Sequence, residues 1–286
     1  MQEINSSEDL RNFIEFTTGM EESEQQIDEQ QIESRWDMYI TEIEGSKALV
    51  LVDMALSGIA PLMEYNILFG LQIGILNPSE DGFYTAEEQP KLYEIEDRAV
   101  DIFTKEAPCR FVATVTSGGS RIMYFYARND NFLAALVGKI AAEYGEYRFD
   151  YMMEKDGPWN FYYNALLPGV LEQQLMDNRR IHDALEAQGF DLKKERPTCH
   201  WFYFENGAKR RQCAVRLMAW GYEILDDNFY DEDVVQAPFG LKAACMQDMQ
   251  LDTLFQKTYA SSELAEEYEG IYDGWQLMDD GDHDAE

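Results

Sequence analysis

The last third of the chain passes through a succession of patterns that leaves few folds open. Thr198-Cys-His-Trp-Phe-Tyr-Phe204 is aromatic and β-prone and reads as a strand. Asn206 is a residue of the N-cap type, and Cys213, Ala214, Leu217 and Met218 after it share one helical face, with Gly221 as the stop. Tyr222–Leu225 and Val234–Leu241 read as strands on either side of an acidic loop. Leu251, Leu254 and Phe255 begin a second helical stripe that runs to Tyr268. Gly270 then turns the chain into a short final strand ending at Trp275.

The middle of the chain passes through the same succession. Glu64–Leu76 reads as a strand, stopped by Asn77-Pro78. Leu92, Ile95, Ala99, Ile102 and Phe103 line one helix face. Cys109–Thr116 and Arg121–Ala127 are β-prone runs joined by Ser-Gly-Gly-Ser, a hairpin signal. Asn129 or Asp130 is placed to cap a helix whose apolar face is Leu133, Leu136, Val137, Ile140 and Tyr144, and Tyr147–Met153 closes the set. Ahead of it, Arg35–Ile43 and Lys47–Asp53 around Glu44-Gly45-Ser46 read as an extra hairpin. Strand, helix, strand, strand, helix, strand is the split βαβ order. The expected fold is therefore α+β, with two ferredoxin-like domains and an N-terminal β-hairpin. Trp159–Tyr163 reads as one more aromatic strand, and Pro168 opens a polar helix from Gly169 to Gln188.

Two resemblances attach to these residues. The strand His200–Phe204, the helix after it, Gly221-Tyr-Glu and the closing Glu-Tyr-Glu-Gly and Tyr272-Asp-Gly-Trp275 resemble the RraB-like domain, named for a bacterial regulator of ribonuclease E. The Trp36-Asp-Met-Tyr hairpin, the Asn77-Pro-Ser-Glu-Asp-Gly loop and the Thr-Ser-Gly-Gly-Ser-Arg turn before Tyr124-Phe-Tyr126 resemble the domain of unknown function numbered 695. Gln173-Gln174 and Asn178-Arg179-Arg180 on the connecting helix fit a family that carries both. The expected organisation is an acidic mobile arm at 1–34, an α+β domain at 35–165, a linker helix at 166–195, an RraB-like domain at 196–277 and an acidic tail at 278–286. The resemblance implies a non-catalytic regulator that binds the basic scaffold segment of an RNA-degrading endonuclease. It brings no activity for the first domain.

Charge narrows the partners. With 55 acidic against 23 basic residues the formal net charge is −32, which disfavours free nucleic acid and favours a basic protein partner. No apolar run reaches the length of a membrane span, and the first residues have neither the basic nor the apolar region of a secretory signal. Cys109, Cys199, Cys213 and Cys245 form no CxxC pair. A cytoplasmic protein with reduced thiols is expected.

The candidates for chemistry are sparse. Cys199 and His200 are neighbours in a strand, so they point to opposite faces and make no dyad by themselves. Asp226, Asp227, Asn228, Asp231, Glu232 and Asp233 crowd one loop, but Tyr230 stands where an EF-hand needs an oxygen. No catalytic residue, metal site or cofactor is expected. Tyr124 and Tyr126 share a face with Ile122 and read as packing residues rather than as a base-stacking platform. Arg179, Arg180, Lys193, Lys194, Arg196, Lys209, Arg210, Arg211 and Arg216 concentrate basic charge around the domain junction, for internal ion pairs or as a ridge facing RNA. The expected partner-binding residues are Asp226, Asp227, Asp231, Glu232 and Asp233 with Tyr272, Asp273 and Trp275. An RNA-binding module using the basic ridge is the alternative; an acidic-site, metal-dependent enzyme is a third.

Overall fold

The computed structural model describes residues 32–232 and 234–278. The expectations of a mobile arm and an acidic tail, and the candidate Asp233, fall outside the described residues, apart from the few nearest the two sheets. Among the described residues ten strands form two sheets, and the mixture of helix and antiparallel sheet is α+β as expected.

The first sheet contains β1 (Trp36–Ile43), β2 (Ser46–Asp53), β3 (Ile67–Gly74), β4 (Cys109–Ser117), β5 (Ser120–Ala127) and β6 (Phe149–Lys155), in the order β1-β2-β4-β5-β3-β6. Every neighbouring pair is antiparallel. Helices α1 (Gln89–Glu106) and α2 (Leu133–Glu143) cover one face. Their buried stripes, Leu92, Ile95, Ala99, Ile102 and Phe103 on the first and Leu133, Leu136, Val137 and Ile140 on the second, are those the periodicity marks. They close on Phe69, Leu71, Met123 and Phe125 of the central strands, with the Phe69 and Phe103 rings 4.9 Å apart. Neither Asn129 nor Asp130 caps α2. The cap position is Phe132 in the left-handed region at φ 68°, with no side-chain cap. Asn129 Oδ1 instead accepts from Asn131 N at 3.1 Å, closing a local turn.

The other face of this sheet is filled by the segment expected to be an aromatic strand. Trp159–Tyr163 is not extended: it leads through a turn into the short helical stretch Tyr162–Leu166. Asp156 is the reason. Its carboxylate accepts from Asn160 N at 2.8 Å and Phe161 N at 2.9 Å, a helix cap, and also from the Tyr126 hydroxyl at 2.6 Å. Trp159 then stacks on Tyr126 at 3.9 Å and Phe161 meets Tyr124 at 4.9 Å. Tyr124 and Tyr126 are buried packing residues, as read from the sequence.

The second sheet contains β7 (Arg196–Phe204), β8 (Glu223–Tyr230), β9 (Phe239–Gln247) and β10 (Gly270–Leu277), in the antiparallel order β10-β7-β9-β8. Numbered within its own unit, each group of four strands follows the order 4-1-3-2. Helices α4 (Gly207–Ala219) and α5 (Leu251–Glu267) share one core with Phe202, Phe204, Leu241, Ala243 and Tyr272. Asn206 caps α4 as expected, accepting from Ala208 N and Lys209 N at 3.1 Å each. Met218 departs from the expected face and is 53 % exposed.

Two strand boundaries move. β8 continues through Asp226-Asp-Asn to Tyr230, where a loop was expected, with two register shifts against β9 that let polar residues stay in water. The strand expected at Val234–Leu241 begins instead at Phe239; Pro238 precedes it, and its carbonyl accepts from Asp231 N at 2.8 Å, closing a turn. The connecting helix α3 (Val170–Ala187) packs on α5 and on β1, the outer strand of the first sheet.

Candidate protein-interaction site

The residues of the closing Tyr272-Asp-Gly-Trp275 strand and those singled out on the connecting helix meet in space. In β10 the pairing with β7 slips between Tyr272 and Gly274, and Gly274 takes φ 103°, a conformation that favours glycine. The bulge turns the Tyr272 carbonyl toward α3, where Gln174 Nε2 donates to it at 2.7 Å. One turn on, Asn178 is 2 % exposed. Its Oδ1 accepts from Trp275 Nε1 at 2.7 Å, and its Nδ2 donates to Thr258 Oγ1 on α5 at 2.8 Å. Helix α3, strand β10 and helix α5 are thus held by one side-chain amide. Arg180 on the next turn pairs with Asp177 and with Asp37 of β1, and Thr41 donates to Glu172 at 2.9 Å.

This arrangement divides the expected aromatic patch. Tyr272 is 3 % exposed and its hydroxyl lies 2.9 Å from His200 Nδ1, so it is a core residue and no surface contact. Trp275 is half-buried and committed to Asn178. Asp273 between them is the extra residue of the bulge and is exposed, and its charge acts on Tyr203.

The side of the second sheet away from its helices carries Trp201, Tyr203, Lys242, Met246 and Ile271. Among the described residues the helices of this unit pack on the opposite face, and here Met246 and Ile271 are 55 % and 42 % exposed. Here the two expected acidic groups come together. Tyr203 donates from its hydroxyl to Asp231 Oδ2 at 3.3 Å. Burial first, then the charges of Asp273 and Asp231, push the Tyr203 phenol up to about 12. Asp273 is itself raised above the usual carboxylate range, by burial and then by Asp231. Two carboxylates thus act on one phenol. Asp226 and Asp227 extend the charge along β8, with Asp226 in register with Lys242; Glu232 follows, exposed, after the strand. Tyr203 was not singled out in the sequence, although its alternation with His200 and Phe202 already put it on the face away from the core.

No nucleophilic constellation forms around Cys199. His200 is fully buried and faces the helices, with Nε2 3.2 Å from Thr198 Oγ1 and 3.5 Å from Cys245 Sγ. Burial, then the Lys257 charge, lower its pKa to about 3, so the imidazole is neutral and cannot hold a thiolate as its ion-pair partner. The four cysteines are unpaired thiols, and burial pushes Cys109 and Cys213 up to about 12. Among the described residues no three His, Cys, Asp or Glu side chains come together as metal ligands. No helix among them is long and apolar enough to cross a membrane.

Four of the basic residues around the junction have internal partners. Besides Arg180, Lys209 pairs with Glu269, and Arg196 and Arg216 lie over Phe190 and Trp220, 4.1 Å and 5.9 Å from the ring centroids.

No curated protein matches the chain. Residues 34–167 match the family model described as Family of unknown function (DUF695), and residues 175–276 match the one described as Regulator of ribonuclease activity B, a span that takes in most of α3 together with the second sheet. Each of the two segments is therefore similar to one of these families, in the order that the residues of the hairpins, the connecting helix and the Tyr-Asp-Gly-Trp strand indicate.

Proposed function

We propose that the protein is a non-catalytic, cytoplasmic regulator that binds a basic protein segment of an RNA-degrading endonuclease and modulates its activity. The match of residues 175–276 to a regulator of ribonuclease activity supports the class of function. The observation that carries the mode of binding is Asp231 accepting from the Tyr203 hydroxyl, with the charge of Asp273 acting on both. Exposed ion pairs contribute only about 0.2–1 kcal/mol each, so a useful affinity needs several lysines or arginines spread along one segment. Asp226, Asp227, Asp231, Glu232 and Asp233 are the proposed contacts, with Asp273 at their edge; Tyr272 and Trp275 act from beneath by holding β10 in its bulged form.

In this reading the chain has two ferredoxin-like domains, at 35–165 and 196–277. The helix between them fixes the second to the outer strand of the first. The flanking segments 1–34 and 278–286 are acidic.

The test is a cleavage assay with a purified RNA-degrading endonuclease, whole and lacking its basic segment. The protein should lower cleavage by the whole enzyme and leave the shortened one unaffected, and a low-salt titration with free RNA should show no binding. Equal cleavage by the whole enzyme with and without the protein would remove the regulator reading. RNA binding that disappears in the Lys209, Arg210, Arg211 to alanine variant would replace it with an RNA-binding module.

A further inference from the structure

Three basic residues open α4, and the fold treats them differently. Lys209 pairs with Glu269, and Arg211 is exposed. Arg210 is only 7 % exposed. Its Nε is enclosed and has no hydrogen-bond partner, and its guanidinium carbon lies 6.0 Å from the centre of the Phe239 ring. Among the described residues neither Arg210 nor Arg211 has a carboxylate within ion-pair distance. Arginine does not shed its charge at any ordinary pH. A largely buried guanidinium with one enclosed, unpartnered N–H favours an anion beside it, because leaving a buried donor unpaired is costly.

The surroundings indicate which anion. A Cβ at Gly207 would lie 3.4 Å from Arg211 Nη1 and 3.9 Å from Arg210 Nη2, so both guanidinium groups reach back over the first residue of the helix. Asn206 takes the amides of Ala208 and Lys209, so Gly207 N–H is the first-turn donor that the cap leaves over. The helix is 13 residues long, and its positive dipole end lies at this glycine. The bare Cα lets a ligand approach the backbone. Two forked guanidinium groups, a backbone amide and a helix N-terminus around one Cα without a side chain match an oxyanion with three or more acceptor oxygens. A carboxylate has two oxygens and would occupy one fork. The net charge of −32 opposes a long polyanion and leaves a small one free to bind.

We propose that the N-terminus of α4 binds a phosphate group, free or carried by a small ester, with Arg210 and Arg211 clamping it over Gly207. None of these residues belongs to the acidic face assigned to the protein partner, so the two sites stand or fall separately.

The experiment is calorimetric titration of the full chain with inorganic phosphate and with ribose phosphate, the ionic strength held constant with chloride. The chains compared are wild type, Arg210→Met, Arg211→Gln and Gly207→Ala, with circular dichroism as the check on folding. Wild type should show saturable one-to-one binding. Arg211→Gln should weaken it about tenfold, the worth of one charge-assisted contact. Arg210→Met should abolish it. Gly207→Ala should raise the melting temperature, since alanine favours helix, and yet weaken phosphate binding by crowding the cradle. Tighter binding of ribose phosphate than of inorganic phosphate marks the ester as the ligand, and equal affinity marks the free anion; either supports the site. If Arg210→Met does not fold, the exposed Arg211→Gln decides. The proposal is overturned if neither probe gives saturable heat, or if Arg211→Gln and Gly207→Ala bind as wild type does. It is also overturned if a short single-stranded RNA binds through these arginines while both small phosphates do not.

Discussion

Two buried groups show how single side chains set conditions on this fold. Arg121 on β5 is 4 % exposed and donates to Glu96 of α1, to Thr116 Oγ1 at 2.8 Å, and lies under Tyr84 and Tyr93. Removing one member of such a pair leaves an enclosed charge, so Glu96→Ala should cost roughly 3–5 kcal/mol in urea unfolding. The double change Glu96→Leu with Arg121→Met should cost less than either single one, because both charges leave together. Equal additive losses would show that the pair is not coupled. His200 sets a pH condition. Its folded-state pKa is lowered from 6.5 to about 3, chiefly by burial, so protonation favours the unfolded chain. Its contribution is fully present above pH 6.5 and is lost as pH falls from 6.5 toward 3. Between about pH 7 and pH 5 the loss from this one group is ~2 kcal/mol. Unfolding of wild type and of His200→Gln should therefore differ in pH slope over that window; parallel slopes would mean that His200 already titrates in the native protein.

At the scale of elements, the clasp between α3 and β10 rests on Asn178. Asn178→Leu keeps the size but strands Trp275 Nε1 and Thr258 Oγ1, each worth about 1–3 kcal/mol if left without a partner. Amide exchange along α3 should speed up in that variant while α1 and α2 stay protected; unchanged exchange would show that the helix is held by apolar packing alone. The elements differ in how far they can be read from residues. The α1 stripe is legible because one helical period decides both its existence and its buried face. Trp159–Tyr163 is not, because aromatic content favours a strand while Asp156, three residues earlier, caps a helical turn and wins. β8 was cut short because Asp-Asp-Asn has low strand propensity; as an edge strand with an open face it tolerates them. The site was legible in part for a related reason. Charge alone marks Asp231 and Asp273, but that they flank Tyr203 depends on β10 lying beside β7 and on a one-residue bulge, which no local pattern announces. The same bulge explains why Tyr-Asp-Gly-Trp looks like a surface motif and yet buries its tyrosine.

For the molecule as a whole, 55 acidic residues against 23 basic ones make a field that reaches beyond any single contact. The helices over the first sheet hold local pairs such as Arg98 with Glu143 at 2.8 Å and Lys91 with Glu94 at 3.0 Å. In the second sheet the acidic residues gather along β8 and beside Tyr203. Encounter with a basic segment should be fast and should slow as salt shortens the Debye length from ~10 Å at 0.1 M to ~3 Å at 1 M. The most direct measurement is therefore stopped-flow association of the full chain with the basic segment of an RNA-degrading endonuclease across that salt range, for wild type and for the Asp231→Lys, Glu232→Lys, Asp273→Lys variant. The account predicts a rate that falls steeply with salt in wild type, and a slower, nearly salt-independent rate in the variant with its melting curve unchanged. A wild-type rate indifferent to salt, or the same rate in both chains, would contradict it.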